Sequence, residues 1–215
     1  MNKKLKTLWQ SLIMAVFLVS FIVGAFVYGT YHPNKVSLTN LSNKIYEQEL
    51  EKIAFLNLKE PEFEYSDSDS FIIAVGKCVD FINFHTDRRD RIPTSIIIAM
   101  AGIETGWGTS RFAVEGNNLF GVRTWNLDLP HMKPLAIPDA KFGIRKYPTK
   151  CDSVRDMIDI LNNHPAYADF RITRDLQVKD GKWNYKKLLE GISAWSINED
   201  YSKIISKAIV DRNLP

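Results

Sequence analysis

The sequence predicts a mainly helical α+β fold. A helical domain carries a small β-hairpin lobe and follows a single apolar helix of membrane-spanning length. Three observations lead there. Leu8 to Tyr28 is uncharged and strongly apolar. From residue 70 onward, apolar residues recur at helical spacing in several segments. Between Phe120 and Tyr147 that pattern breaks, and Pro130, Pro134 and Pro138 forbid a long helix.

As a helix, Leu8–Tyr28 spans about 30 Å, one bilayer core. Lys3, Lys4 and Lys6 precede it, which keeps a short N-terminus in the cytoplasm and exports the rest. The competing reading is a cleaved signal peptide. The apolar region is long for that and no Ala-x-Ala site follows, so an uncleaved single-pass signal anchor is expected. The domain plan is a cytoplasmic tail over 1–7, the anchor over 8–29, a juxtamembrane stalk over 30–69 and a folded domain over 70–215. Within the stalk, Leu41, Ile45, Leu50, Ile53 and Leu56 form a partial helical stripe. Pro61 ends it, and residues 66–70 read as a linker and helix start.

In the domain, Phe71, Ile72, Val75, Cys78, Val79 and Ile82 make one stripe of a helix reaching Phe84. Pro93 suits the first turn of the next helix, whose apolar run from Ile96 to Ile103 ends at Glu104. Residues 142–147 alternate weakly, as a strand does. Ser153-Val154-Arg155-Asp156 has the form of a capping box opening a helix to about Asn163, and Asp152 suits an N-cap. Trp183 to Glu190 reads as a short helix stopped near Gly191. Tyr201, Ile204, Ile205, Ala208 and Ile209 mark a last helix. Trp125 and Trp183 are expected to serve packing and not binding, and Phe120 to sit in the core.

Composition narrows the partners. Lys+Arg 28 against Asp+Glu 25 gives a net charge of +3, too balanced for a nucleic-acid partner. His32, His85, His131 and His164 are scattered, and no Cys/His pair has ligand spacing, so neither metal nor cofactor is expected. Cys78 and Cys151 either pair, as an oxidising periplasm allows, or Cys78 simply fills the apolar face of its own helix.

Glu104 is the residue most suggestive of chemistry. A carboxylate at the end of an apolar run is costly to bury without a role. Apolar surroundings favour a neutral carboxylic acid, and a protonated acid beside a cleft is what general-acid cleavage of a glycosidic bond requires. Gly106 and Gly108 let the chain turn sharply and keep the space above the carboxyl open. The bland alternative is a helix-end glutamate that reaches water or an arginine.

The context around it is specific. Ile103-Glu104-Thr105-Gly106-Trp107-Gly108-Thr109-Ser110-Arg111-Phe112 is followed by Glu115-Gly116-Asn117-Asn118-Leu119-Phe120-Gly121-Val122. This pair of motifs resembles the bacterial peptidoglycan N-acetylglucosaminidases of glycoside hydrolase family 73, especially their Bax-like branch. The resemblance runs on through residues 141–147, 152–155 and 161–167, and ends at Trp195-Ser196-Ile197-Asn198-Glu199-Asp200-Tyr201.

The resemblance implies a lysozyme-like fold with a groove between the lobes, and it places Glu104 on the family's catalytic glutamate. Family members commonly carry a second glutamate in the hairpin lobe. Here the only acids between Val122 and Tyr147 are Asp128 and Asp139, which become the candidates for the second carboxylate, with Asp152 a third. A route assisted by the substrate's own N-acetyl group needs neither as nucleophile. Trp107, Asn117, Asn118, Tyr147 and Trp195 are the candidate substrate-binding residues. Trp195 stands where the family usually has Tyr, so a sugar-stacking face is kept and a phenolic hydroxyl lost. The implied activity is cleavage of the β-1,4 bond after N-acetylglucosamine in peptidoglycan glycan strands, by an enzyme anchored in the inner membrane. The alternatives are a lytic transglycosylase and a catalytically weak wall-binding scaffold. No protein partner is indicated.

Overall fold

The computed structural model describes residues 3–32, 35–56, 59–137, 139–180 and 183–215. It divides into two compact units, Met1–Leu56 and Asn57–Pro215. The first consists of α1 (Lys3–Tyr31) and α2 (Lys35–Leu56). Within Leu5–Tyr31 of α1, the most apolar 18-residue stretch has a mean hydropathy of 2.5 and no buried share, which suffices in length and composition to cross a membrane. In α2 the expected stripe begins with exposed Leu41 and Ile45; the side chains of Leu50, Ile53 and Leu56 lie outside the described residues.

The second unit is mainly helical. Its central helix is α4 (Thr94–Thr105), packed between α3 (Ser68–Phe84) and α9 (Tyr201–Asp211). Being covered on several sides, α4 has an apolar run instead of a stripe: Ile96, Ile97, Ile98, Ala99, Met100 and Ala101 are all buried. Burying each large aliphatic side chain among them contributes about 1.5–3 kcal/mol. Asp67 caps α3 through its carboxylate, which accepts from Asp69 N and Ser70 N. Around this centre lie α5 (Arg111–Gly116), α6 (Lys150–Asn163), α7 (Ala168–Asp180) and α8 (Tyr185–Glu190). Cys78 on α3 and Cys151 on α6 form a fully buried disulfide, with Cα atoms 5.4 Å apart.

The expected hairpin lobe is a three-stranded antiparallel sheet. β1 (Arg123–Thr124) and β2 (His131–Met132) both pair with the central β3 (Gly143–Arg145), giving the order β1-β3-β2. Pro130 and Pro134 fall in its connections as anticipated, while Pro138 lies outside the described residues.

Other expectations are corrected. α6 opens at Thr149, not Ser153: the Thr149 side chain accepts from Asp152 N, and Asp152 reaches back to Thr149 N. Asp152 is therefore the return arm of that capping box and not an N-cap. Ser153 is buried inside the helix, where its hydroxyl accepts from Leu119 N. Trp125 is 71% exposed, with its ring 6.3 Å from that of Phe142, and Trp183 is 43% exposed, so neither is a core residue. α5 and α7 were not visible in the sequence pattern.

Candidate active site

Glu104 occupies the last turn of α4. Gly106 ends the helix in the left-handed conformation (φ 57°), and its N–H closes on Gly102 O. The same carbonyl accepts from Trp107 N at 2.8 Å. Trp107 then folds its ring back over Gly102, where an added Cβ would come within 2.5 Å of the indole. Arg212 stacks on this indole, 4.4 Å from its centroid. Trp107 thus braces the end of α4 with its ring against the helix backbone.

The Glu104 carboxylate is exposed, where the apolar run led one to expect burial. The helix axis simply carries it past the core. Two neutral donors hold it, both on the same oxygen. Tyr201 OH donates to Oε1 at 2.8 Å and Trp195 Nε1 donates to Oε1 at 3.2 Å. Trp195 closes a short 3₁₀ turn, Ser193–Trp195, and Tyr201 opens α9. Burial, and then the nearby Glu104 charge, push the Tyr201 phenol far above its ordinary pKa. Tyr201 therefore remains a hydrogen-bond donor throughout the physiological range. Among the described residues, Oε2 has no hydrogen bond and no cation pairs with the carboxylate. No group of His, Cys, Asp and Glu able to hold a metal occurs among the described residues either.

Asn117 and Asn118 spend their amides on backbone. Asn117, left-handed at the end of α5, donates to Tyr147 O and Pro148 O at 3.0 Å and accepts from Lys150 Nζ at 3.1 Å. Asn118 is fully buried; it donates to Val122 O and Arg145 O and accepts from Phe120 N and Val122 N. The pair fastens the sheet lobe to the helices and leaves little capacity for sugar hydroxyls. Asp128 and Asp139 are exposed on the lobe's connections, and neither carboxylate has a hydrogen bond or ion pair among the described residues.

Tyr147 is buried, and its hydroxyl donates to Asp156 Oδ2 at 2.5 Å. Arg145 Nη1 reaches both Asp156 oxygens, at 3.2 and 3.1 Å. Burial, then the Asp156 hydrogen bond, raise the Tyr147 pKa far above the ordinary value. Asp156 went unrecognised as a partner in the sequence. The available signal was the strand spacing of Arg145 and Tyr147, which sends both side chains to one face.

A helical domain with a small antiparallel sheet and a lone glutamate held at a helix C-terminus belongs with the lysozyme-like glycoside hydrolases. Residues 85–214 match the family described as Glucosaminidase, mannosyl-glycoprotein endo-beta-N-acetylglucosaminidase. The chain belongs to this family, glycoside hydrolase family 73, and is a glycoside hydrolase. Over 88 residues it is 38% identical to Protein bax of Escherichia coli, covering 41% of this chain but only 30% of that protein's length. Its fold resembles the catalytic domain of the autolysin Auto from Listeria monocytogenes (TM-score 0.54, 21% identity, 78% of this chain and 94% of that one). It also resembles the glycoside hydrolase domain of Salmonella typhimurium FlgJ (TM-score 0.52, 18% identity, 69% and 89%).

Proposed function

We propose that the chain is a membrane-anchored peptidoglycan hydrolase that cleaves the β-1,4 bond after N-acetylglucosamine, with Glu104 as general acid. The observation that carries this reading is the loading of two neutral donors onto Oε1 while Oε2 stays open. An oxygen that accepts from both Tyr201 and Trp195 is a poor site for a proton, so Oε2 is the oxygen left free to deliver one. Oε2 protonates the glycosidic oxygen as the bond to the anomeric carbon breaks. The charge left on Glu104 is met by the two waiting donors, already oriented. The same carboxylate then takes a proton from the attacking water. Trp195 keeps a donor where the family usually has a tyrosine hydroxyl, which supports an active enzyme over a scaffold.

For the nucleophile, the free and exposed carboxylates of Asp128 and Asp139 support the substrate-assisted route. A protein base must be held at a fixed point, and nothing among the described residues holds either one. In this route the N-acetyl carbonyl oxygen attacks the anomeric carbon, and water later opens the resulting ring.

Residues 8–29 are proposed as the anchor in the cytoplasmic membrane, with 1–7 inside and the catalytic domain outside. Lys3, Lys4 and Lys6 support that orientation, and the Cys78–Cys151 disulfide supports an oxidising compartment. The test is digestion of purified sacculi by the full chain in detergent, followed by mass analysis of the products. Reducing N-acetylglucosamine ends are expected. Anhydro-muramyl ends would make the protein a lytic transglycosylase, and no release would leave a wall-binding protein.

A further inference from the structure

Residues 59–66 precede the family match, which begins at residue 85, and their composition reads as linker. In the structure they form an extended strap along the helical unit. Alternate residues 61, 63 and 65 are partly buried while 62 and 64 are exposed. Glu60 anchors one end, pairing with Arg155 Nη2 at 3.1 Å and accepting from Thr149 Oγ1 at 3.0 Å. Phe63 and Tyr65 pack edge-on against Phe71, with ring centroids 6.0 and 5.2 Å away, and Lys150 Nζ lies 5.7 Å from the Tyr65 centroid.

The other end reaches the turn that follows Glu104. Tyr65 OH donates to Gly108 O at 2.7 Å. Gly108 N is in turn held by Thr105 Oγ1 at 2.8 Å, and that hydroxyl donates to Ala101 O. Gly108 sits at φ +90°, and an added Cβ would lie 2.6 Å from both the Tyr65 and Phe71 rings. Only glycine suits a backbone so bent and so closely approached. Gly108, four residues beyond Glu104, is thus tied into the helix through its N–H by Thr105 and into the strap through its carbonyl by Tyr65. We infer that Tyr65 is a positioning residue, which fixes the Thr105–Gly108 turn and through it the aim of the Glu104 carboxylate. The inference rests on the reading of Glu104 as general acid. Burial raises the Tyr65 pKa, so its hydroxyl stays a donor at neutral pH.

The experiment uses the full chain and compares Tyr65→Phe, Glu60→Gln and Glu104→Gln on sacculi, with thermal midpoints measured alongside. Tyr65→Phe keeps the ring packing and removes one oxygen. It should lower kcat about fivefold while KM holds within about twofold, since mis-aiming a bound acid affects the reacting state alone. Glu60→Gln loosens the far end of the strap; it should cost stability comparable to Tyr65→Phe and leave kcat within about twofold. Unchanged kcat in Tyr65→Phe, or equal kcat losses in both strap variants, would overturn the inference. Full activity in Glu104→Gln would instead sink the general-acid reading, whatever Tyr65 does.

Discussion

Two carboxylates in this molecule each accept a hydrogen bond from a buried tyrosine, and their other partners differ in a way that matches the proposed division into a brace and an acid. Asp156 takes Tyr147 OH at 2.5 Å and also a guanidinium that touches both of its oxygens. Glu104 takes Tyr201 OH at 2.8 Å and an indole N–H, both neutral and both on one oxygen. A carboxylate that a guanidinium reaches on both oxygens serves as a brace between β3 and α6. A carboxylate steadied on one side only can exchange a proton on the other. Position in the fold follows the same division: Asp156 is inside α6, whereas Glu104 stands exposed at the end of α4. Both phenols have pKa values raised chiefly by burial and then by the carboxylates, so the stability linked to their protonated form is complete below the ordinary tyrosine pKa of 10.0. It is lost only as pH climbs beyond that toward the raised values.

The largest effect should come from Glu104→Gln. Losing the transferable proton should cut turnover on sacculi by about a thousandfold, with a thermal midpoint within about 2 °C of wild type. Near-normal turnover would leave the two carboxylates without the proposed distinction. On the brace side the effect should appear in stability. The disulfide ties α6 to α3 across 73 residues, so replacing both cysteines by alanine should cost about 4 kcal/mol in the chain-entropy model. Denaturant titration measures this, and kcat of the protein that remains folded should hold.

Asp156→Asn should cost about 1–2 kcal/mol, a modest sum because Arg145 is 41% exposed and solvent screens the pair. A thousandfold drop in kcat at unchanged stability would place Asp156 in the chemistry and erase the contrast. Tyr201→Phe and Trp195→Phe strip the donors from Glu104 one at a time. Each should lower kcat by about tenfold or less, with Tyr201 the larger because its hydrogen bond is shorter and more buried. Trp195→Tyr should test whether the family's usual residue works equally well on this backbone.

Much of this contrast was hidden from the sequence, for physical reasons. The apolar run of α4, its closing glycines and the spanning length of α1 are local features, and they were legible. The partners of Glu104 lie 91 and 97 residues away, a distance no local pattern crosses. α7 escaped because its buried face is Phe170, Arg174 and Gln177, a helical stripe written largely in polar residues. Arg174 can be buried there because Asp90 pairs with it and Asn162 accepts its hydrogen bond. α5 has only six residues, too few to show a period. Exposure of Glu104 was misjudged because an apolar run reports where a helix passes, not where it ends.

The smallest expected effects concern Asp128 and Asp139. If a hairpin carboxylate were the base or nucleophile, one of the two substitutions to Asn would remove most turnover and the other little, since a single point across the groove is required. Both side chains are exposed, and neither has a hydrogen bond or ion pair among the described residues. Under the substrate-assisted route each variant should keep kcat within about twofold of wild type. That route then demands a complementary loss on the substrate side: glycan strands lacking the N-acetyl carbonyl should be bound but not cleaved. Turnover of deacetylated strands, together with collapse of one Asp variant, would return the second carboxylate to the sheet lobe. Glu104 would remain the acid, and the lobe's connection would have to bring that aspartate to the opposite face of the sugar when the glycan binds.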